Sequence, residues 1–175
     1  MPARLVRPSV PDRPTTAIAR ARSLFLDDAG VHGCAETSYL ALAEAFGLTE
    51  VVSSAPAMAL NGGVAYGGGI CGAISGAALA VGLLAERRIA DHQAAKRVAR
   101  GLIAEAMDRF TERHGAVDCR DLIGMDLRAP GQHDAFMASD RWRVGCMAQI
   151  EGVLADLAPL ADRSTWDAAV ARLPV

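Results

Sequence analysis

One stretch without a charge constrains this chain more than any other part of it. From Val51 to Ala85 there is no Asp, Glu, Lys or Arg, and its centre reads NGGVAYGGGICGAISGAALAVG. Gly62, Gly63, Gly67, Gly68, Gly69 and Gly72 crowd around a single thiol, Cys71. Glycines at this density let the backbone take positive φ and let another group approach closely. From Ile70 onward the small residues Gly72, Ala73, Gly76, Ala77 and Ala80 fall at helical spacing. The pattern predicts a buried central helix with Cys71 at its first turn and other helices packed at short range.

The remaining composition agrees with a helical domain. The chain has 175 residues, 51% of them hydrophobic, which is enough for one compact core. Helix formers dominate and β-branched alternation is scarce, so the expected fold is an all-α, single-domain helical bundle around the Gly/Ala-rich helix. Residues 1–14, with their prolines, read as a flexible arm, and 15–175 as the domain, with Pro14 opening the first helix. With 18 basic and 20 acidic side chains the formal charge is −2, and only 5% of residues are aromatic. No basic run offers itself to nucleic acid or an anionic membrane. Residues Tyr66 to Ala85 are long enough to cross a bilayer and contain Gly72-x-x-x-Gly76. Their glycine and alanine gain little from lipid, so the expectation is a core helix without membrane insertion. The N-terminus lacks an apolar secretory segment, and a cytoplasmic location is expected.

Along the chain, amphipathic helices are predicted through Ile18, Leu24 and Phe25; from Cys34 to Phe46, closed by Gly47; and from Asp91 to Arg113, closed by His114-Gly115. In the last of these Val98, Leu102, Ile103, Ala106 and Phe110 form the buried stripe, and Lys96, Arg100, Asp108 and Arg109 face solvent. A short helix is expected near Pro56, another over Asp118–Ile123, then a loop over Gly124–Asp140 and a helix over Trp142–Leu157. A final helix carries Trp166, with Ser164 as its cap and Asp167 as the capping-box acid.

Cys34, Cys71, Cys119 and Cys146 each follow a turn signal and precede helical sequence. A helix N-terminus offers free N–H groups and partial positive charge, which favour a thiolate. Four such thiolates suit a soft metal centre, an iron–sulfur cluster or zinc. The gaps of 37, 48 and 27 residues contain no C-x2-C pair, so spacing leaves two other readings open: buried core thiols, and disulfides that cycle with any of three pairings.

The segments GCAETSYLALAEAFGL, GGGICGAISGAALAVGLL and RHGAVDCRDLIG, followed by Cys146, resemble in order the four blocks of the C_GCAxxG_C_C family, described as redox-active proteins. The resemblance runs from Gly33 to Leu157, and its most specific element is Cys71-Gly72-Ala73-Ile74-Ser75-Gly76. It matches all four family cysteines to Cys34, Cys71, Cys119 and Cys146, and differs in Gly33 before the first cysteine. A related domain accompanies a non-haem iron–sulfur centre in split-Soret cytochromes; this chain has no C-x-x-C-H for covalent haem.

The resemblance implies an iron–sulfur cluster, [2Fe–2S] or [4Fe–4S], on the four cysteines, with electron transfer or redox sensing as its use. The alternatives are zinc or another thiophilic metal, and a metal-free thiol–disulfide protein. Gly33, Gly69, Gly72, His32 and Asp118 are the expected surroundings of the sulfurs, with Ile70 and Tyr66 burying the site. A redox partner protein is implied, and the small-residue surface of the central helix suggests a homodimer. His32 reads as an exposed loop residue beside Cys34, and His114 as an imidazolium at a helix C-terminus. Neither a phosphate loop nor a nucleophile elbow is present, which leaves no second catalytic constellation.

Overall fold

In the computed structural model, which describes residues 12–51 and 53–174, the glycine-rich stretch makes an unusual turn. Gly62 and Gly63 have φ of 64° and 70°, and Val64, Ala65 and Tyr66 continue at 61°, 50° and 60°. Residues with a Cβ enter this left-handed region at a cost of about 1–2 kcal/mol each. The glycines start the turn, and contacts from elsewhere hold the rest. The Ala65 and Tyr66 N–H groups donate to the carbonyls of Ala59 (2.8 Å) and Asn61 (3.2 Å). From outside, Arg128 Nε donates to the Ala65 carbonyl at 3.0 Å.

The helices are α1 (Arg13–Phe25), α2 (Cys34–Ala45), α3 (Gly72–Arg88), α4 (His92–His114), α5 (Cys119–Ile123), α6 (Gln132–Ala138), α7 (Arg141–Leu157) and α8 (Arg163–Arg172). Two 3-10 turns, Ala55–Leu60 and Ala158–Ala161, complete the set. Among the described residues there is no strand, only one antiparallel bridge between Ile70 and Asp118. The fold is all-α and single-domain.

Capping explains most of the boundaries. Asp12 Oδ1 accepts the Thr15 N–H at 2.9 Å and starts α1 at Arg13, one residue before the expected Pro14. The expected arm otherwise lies at 1–11, outside the described residues. Asp91 caps α4 through the Ala94 N–H, and Gly115 ends it with φ 82°. At α8 the expected cap is corrected: Asp162, not Ser164, is the N-cap. Its carboxylate accepts the Thr165 N–H (3.0 Å) and the Ser164 hydroxyl (2.6 Å), while Asp167 pairs with Arg163. Within the expected loop 124–140 the chain forms α6, framed by the left-handed residues Gly131 and Asp140. Its seven residues bury only Phe136, too little for a helical period to show. Arg109 is half-buried, not left to solvent, and reaches Glu105 and Asp156.

The central helix is buried as expected. Ile74, Ala77, Ala80, Val81 and Leu84 of α3 are 2% exposed or less, packed among α2, α4 and α7. The packing is closest against α2: a Cβ on Gly76 would land on the Ala35 carbonyl, and one on Gly72 would meet the Cys34 sulfur. The small-residue face offered by the sequence to a second copy is therefore covered by α2. By length and composition alone, Arg141–Ala161 is the one stretch among the described residues apolar enough to cross a membrane, and 50% of that window is buried inside the protein.

The α2–α3 contact predicts opposite outcomes for two glycines on one helix. Gly76→Ala forces two backbones apart and should cost about 1–3 kcal/mol. Gly82→Ala, whose added Cβ meets nothing within 4 Å, should gain roughly 0.5–1 kcal/mol of helix propensity. Urea unfolding midpoints of the two variants check both signs.

Candidate functional site

Three of the four cysteines stand at helix starts. Cys34 is the first residue of α2, Cys71 the N-cap of α3, and Cys119 the first residue of α5. The short bridge between the two latter segments locks them together: the Cys71 N–H donates to the Val117 carbonyl at 2.8 Å, and the Cys119 N–H to the Gly69 carbonyl at 2.7 Å. Cys146 lies in the second turn of α7, inside the helix expected over Trp142–Leu157; the expected turn signal fails, since Gly145 before it is an ordinary helical residue. Its own N–H belongs to the helix ladder, so a helix terminus does not serve its sulfur.

All four are free thiols. Cys34, Cys119 and Cys146 line a cavity of about 310 Å³, and Cys71 lies behind them, 3% exposed. No three His, Cys, Asp or Glu side chains among the described residues close on a single point as the ligands of one metal ion would. The sulfurs frame a space.

Burial governs their chemistry. It raises the Cys119 thiol to about 11, with the neighbouring Cys34 adding to the shift. Cys146 is pushed up to about 12 by burial and then by Cys34 and Cys119, against a smaller opposing pull from Arg141. Cys71 stands well above its ordinary value for the same reasons, burial first and Cys34 second. Cys34 is also raised by burial, but backbone N–H groups of Gly62, Ala35, Cys34 itself and Gly72 point at its sulfur and oppose the rise. The helix-end effect expected for all four is strongest at this one, and nowhere outweighs burial.

Three polar side chains that the sequence did not single out hold the site. Asn61 Oδ1 accepts the Ala35 N–H at 3.0 Å and lies 3.8 Å from the Cys34 sulfur, which donates to it. Its amide donates to Glu36 Oε2 at 2.9 Å. Glu36 also receives the Gly33 N–H and the Ser54 hydroxyl, both at 2.9 Å. Burial works against its charge, yet these donors and nearby His32 hold the carboxyl below its ordinary value. Buried Gln149, one turn beyond Cys146, accepts from the Cys71 thiol at 3.5 Å. Glu36 was visible only as a helical acid three residues after Gly33, a capping-box spacing. Asn61 and Gln149 left no local signal.

The expected surroundings fall unevenly. Gly33 caps α2 against the Asn61 side chain, and Gly72 lies on the Cys34 sulfur. Gly69 contributes the carbonyl that fixes Cys119. His32 is half-buried and lines the cavity, so it is not an exposed loop residue. Asp118 pairs through its backbone with Ile70, makes no side-chain cap and is not part of the cavity. Tyr66 is 42% exposed at the mouth, with its ring 4.8 Å from that of His133, and Ile70 is half-buried, so these two do not seal the site. His114 reverses its expectation: burial, then Arg113, pulls its imidazole down, and Nε2 is buried without a partner.

Four sulfurs from four segments, three at helix starts and one on a helix face, define a cysteine-centred site. The family model described as "Putative redox-active protein (C_GCAxxG_C_C)" matches residues 32–158, and the chain belongs to that family. No curated protein and no solved structure matches the chain.

The raised thiols set a pH dependence for the metal-free, reduced protein. Between pH 9 and about 11 the folded chain retains the Cys119 proton that the unfolded chain releases. Its contribution to stability is full below pH 9 and is lost as pH rises through that window. Urea midpoints taken on both sides should fall toward alkaline pH, and the fall should be shallower in Cys119→Ala.

Proposed function

We propose that Cys34, Cys71, Cys119 and Cys146 hold one iron–sulfur cluster and that the protein transfers electrons or senses redox state through it. The observation that carries this reading is the gathering of four thiols at one place: Cys34, Cys119 and Cys146 line one cavity, and Cys71 is close enough to all three for them to raise it. Four thiolates collected there need a multiply charged soft cation to offset them, and zinc or iron both meet that need. The cavity favours a polynuclear group: sulfurs around a single zinc, each about 2.3 Å from the metal, would converge more tightly. When bound, the cluster supplies one-electron transfer at a potential tuned by hydrogen bonds to its sulfurs and by burial.

The chain's own groups have defined parts in this. Gly62, Ala35 and Gly72 aim N–H groups at the Cys34 sulfur, Ala73 aims one at Cys71, and Arg141 places a cation near Cys146. Each stabilises negative charge on sulfur. The thiol–disulfide alternative asks for low-pKa thiols that attack readily, and here burial pushes the thiols the other way. A carrier or sensor served by a redox partner protein is the reading, in a reducing compartment such as the cytoplasm.

Anaerobic isolation with an absorbance spectrum and iron, zinc and acid-labile sulfide analysis tests it. The expected result is a brown protein with iron and sulfide, both lost in each single Cys→Ser variant that remains folded. A zinc-loaded, colourless protein would select the zinc reading. Metal-free protein that reversibly loses two thiols on oxidation would select the disulfide one.

A further inference from the structure

The cavity is more than the sulfurs require. One wall is the edge-to-face pair Phe25 and Trp142, with ring centroids 5.4 Å apart; Ile123, Leu127 and Phe136 form the other. Its 310 Å³ lies at the small end of ligand pockets, which begin near roughly 300 Å³. At about 30 Å³ per water, it would hold on the order of ten waters or one small ring compound.

The one carboxylate inside is already hydrogen-bonded. The Glu36 carboxylate is taken up by Gly33, Asn61 and Ser54, so no buried carboxylate is left seeking a cationic ligand. His32 and His133 add imidazoles able to hydrogen-bond one polar substituent. Three apolar or aromatic side chains of the cavity lining are exposed: Val31 at 62%, and Tyr66 and Met137 at 42%. Tyr66 is held there by a turn of three Cβ-bearing residues in the left-handed region, strain of a kind that gathers at ligand clamps.

We infer that this cavity binds a small, uncharged molecule built on an aromatic ring, seated against Cys34, Cys119 and Cys146. The aromatic walls and apolar rim supply the attraction, the Glu36 carboxylate in the lining disfavours an anion, and the three sulfurs form the floor. The inference goes beyond the redox reading and concerns the cavity of the reduced, metal-free chain.

The test is a titration of the full-length, reduced, metal-free chain with phenol, and with benzoate as its charged counterpart, followed by methyl NMR. Saturable shifts confined to Val31, Ile123, Leu127 and Met137, with exposed Leu83 outside the cavity unmoved, are expected. Phenol should bind at least tenfold more tightly than benzoate, and should slow alkylation of Cys34 and Cys146 at least threefold. Leu127→Trp, which fills the cavity, should weaken phenol binding at least tenfold. Val31→Trp, at an exposed loop position, blocks the mouth and serves if the first variant does not fold. Shifts spread evenly over the protein, benzoate binding as tightly as phenol, or unchanged binding in a folded blocked variant would overturn the inference. Metal and sulfide content is not read here, so failure leaves the cluster reading to its own test.

Discussion

α2 and α3 lie too close for a Cβ at Gly72 or Gly76, and the site depends on that approach. Two missing Cβ atoms make it possible: Gly76 lies on the Ala35 carbonyl, and Gly72 on the sulfur of Cys34. The stripe of small residues on α3 therefore does more than fill a core. It brings two helix starts together so that N–H groups from both, and from the loop at Gly62, point at one sulfur. Larger side chains at these positions would satisfy hydrophobicity equally well and still separate Cys34 from Cys71. Packing here is a condition of the electrostatics.

Around that contact the protein handles charge in two opposed ways. Glu36 is buried with three donors and stays anionic. The thiols are buried with few donors, beside one another, and favour the neutral form. A buried charge is tolerated when hydrogen bonds replace its lost hydration. The contrast means that the resting, unloaded site is electrically quiet, with its one permanent buried anion tied into the clamp on Cys34.

Much of the bundle was legible in the sequence because its signals are local. The amphipathic stripe of α4, Asp91 and Gly115 at its ends, and Gly47 after α2 act within a turn or two of where they stand. The four cysteines were legible through their blocks, above all Cys71-Gly72-Ala73-Ile74-Ser75-Gly76. What escaped depends on contacts between distant segments. Asn61 reaches Cys34 and Glu36 across 25 residues or more, and Gln149 reaches Cys71 across 78. No spacing encodes such pairs. Gly145, which looks like punctuation before Cys146, has open space around it and a helical backbone, so the cysteine sits inside α7 and not at a helix start. The glycine-rich stretch announced left-handed backbone, yet Val64, Ala65 and Tyr66 adopt it while Gly67 and Gly69 do not.

That turn also orders events in time. Its three Cβ-bearing residues are unfavourable on their own, and part of what holds them comes from Arg128, more than sixty positions along the chain. Helices that form from local contacts have no need to wait for so distant a partner, whereas the wall at the cavity mouth does. The bundle can assemble first and the mouth close last, so the wall nearest the sulfurs waits for the rest of the chain.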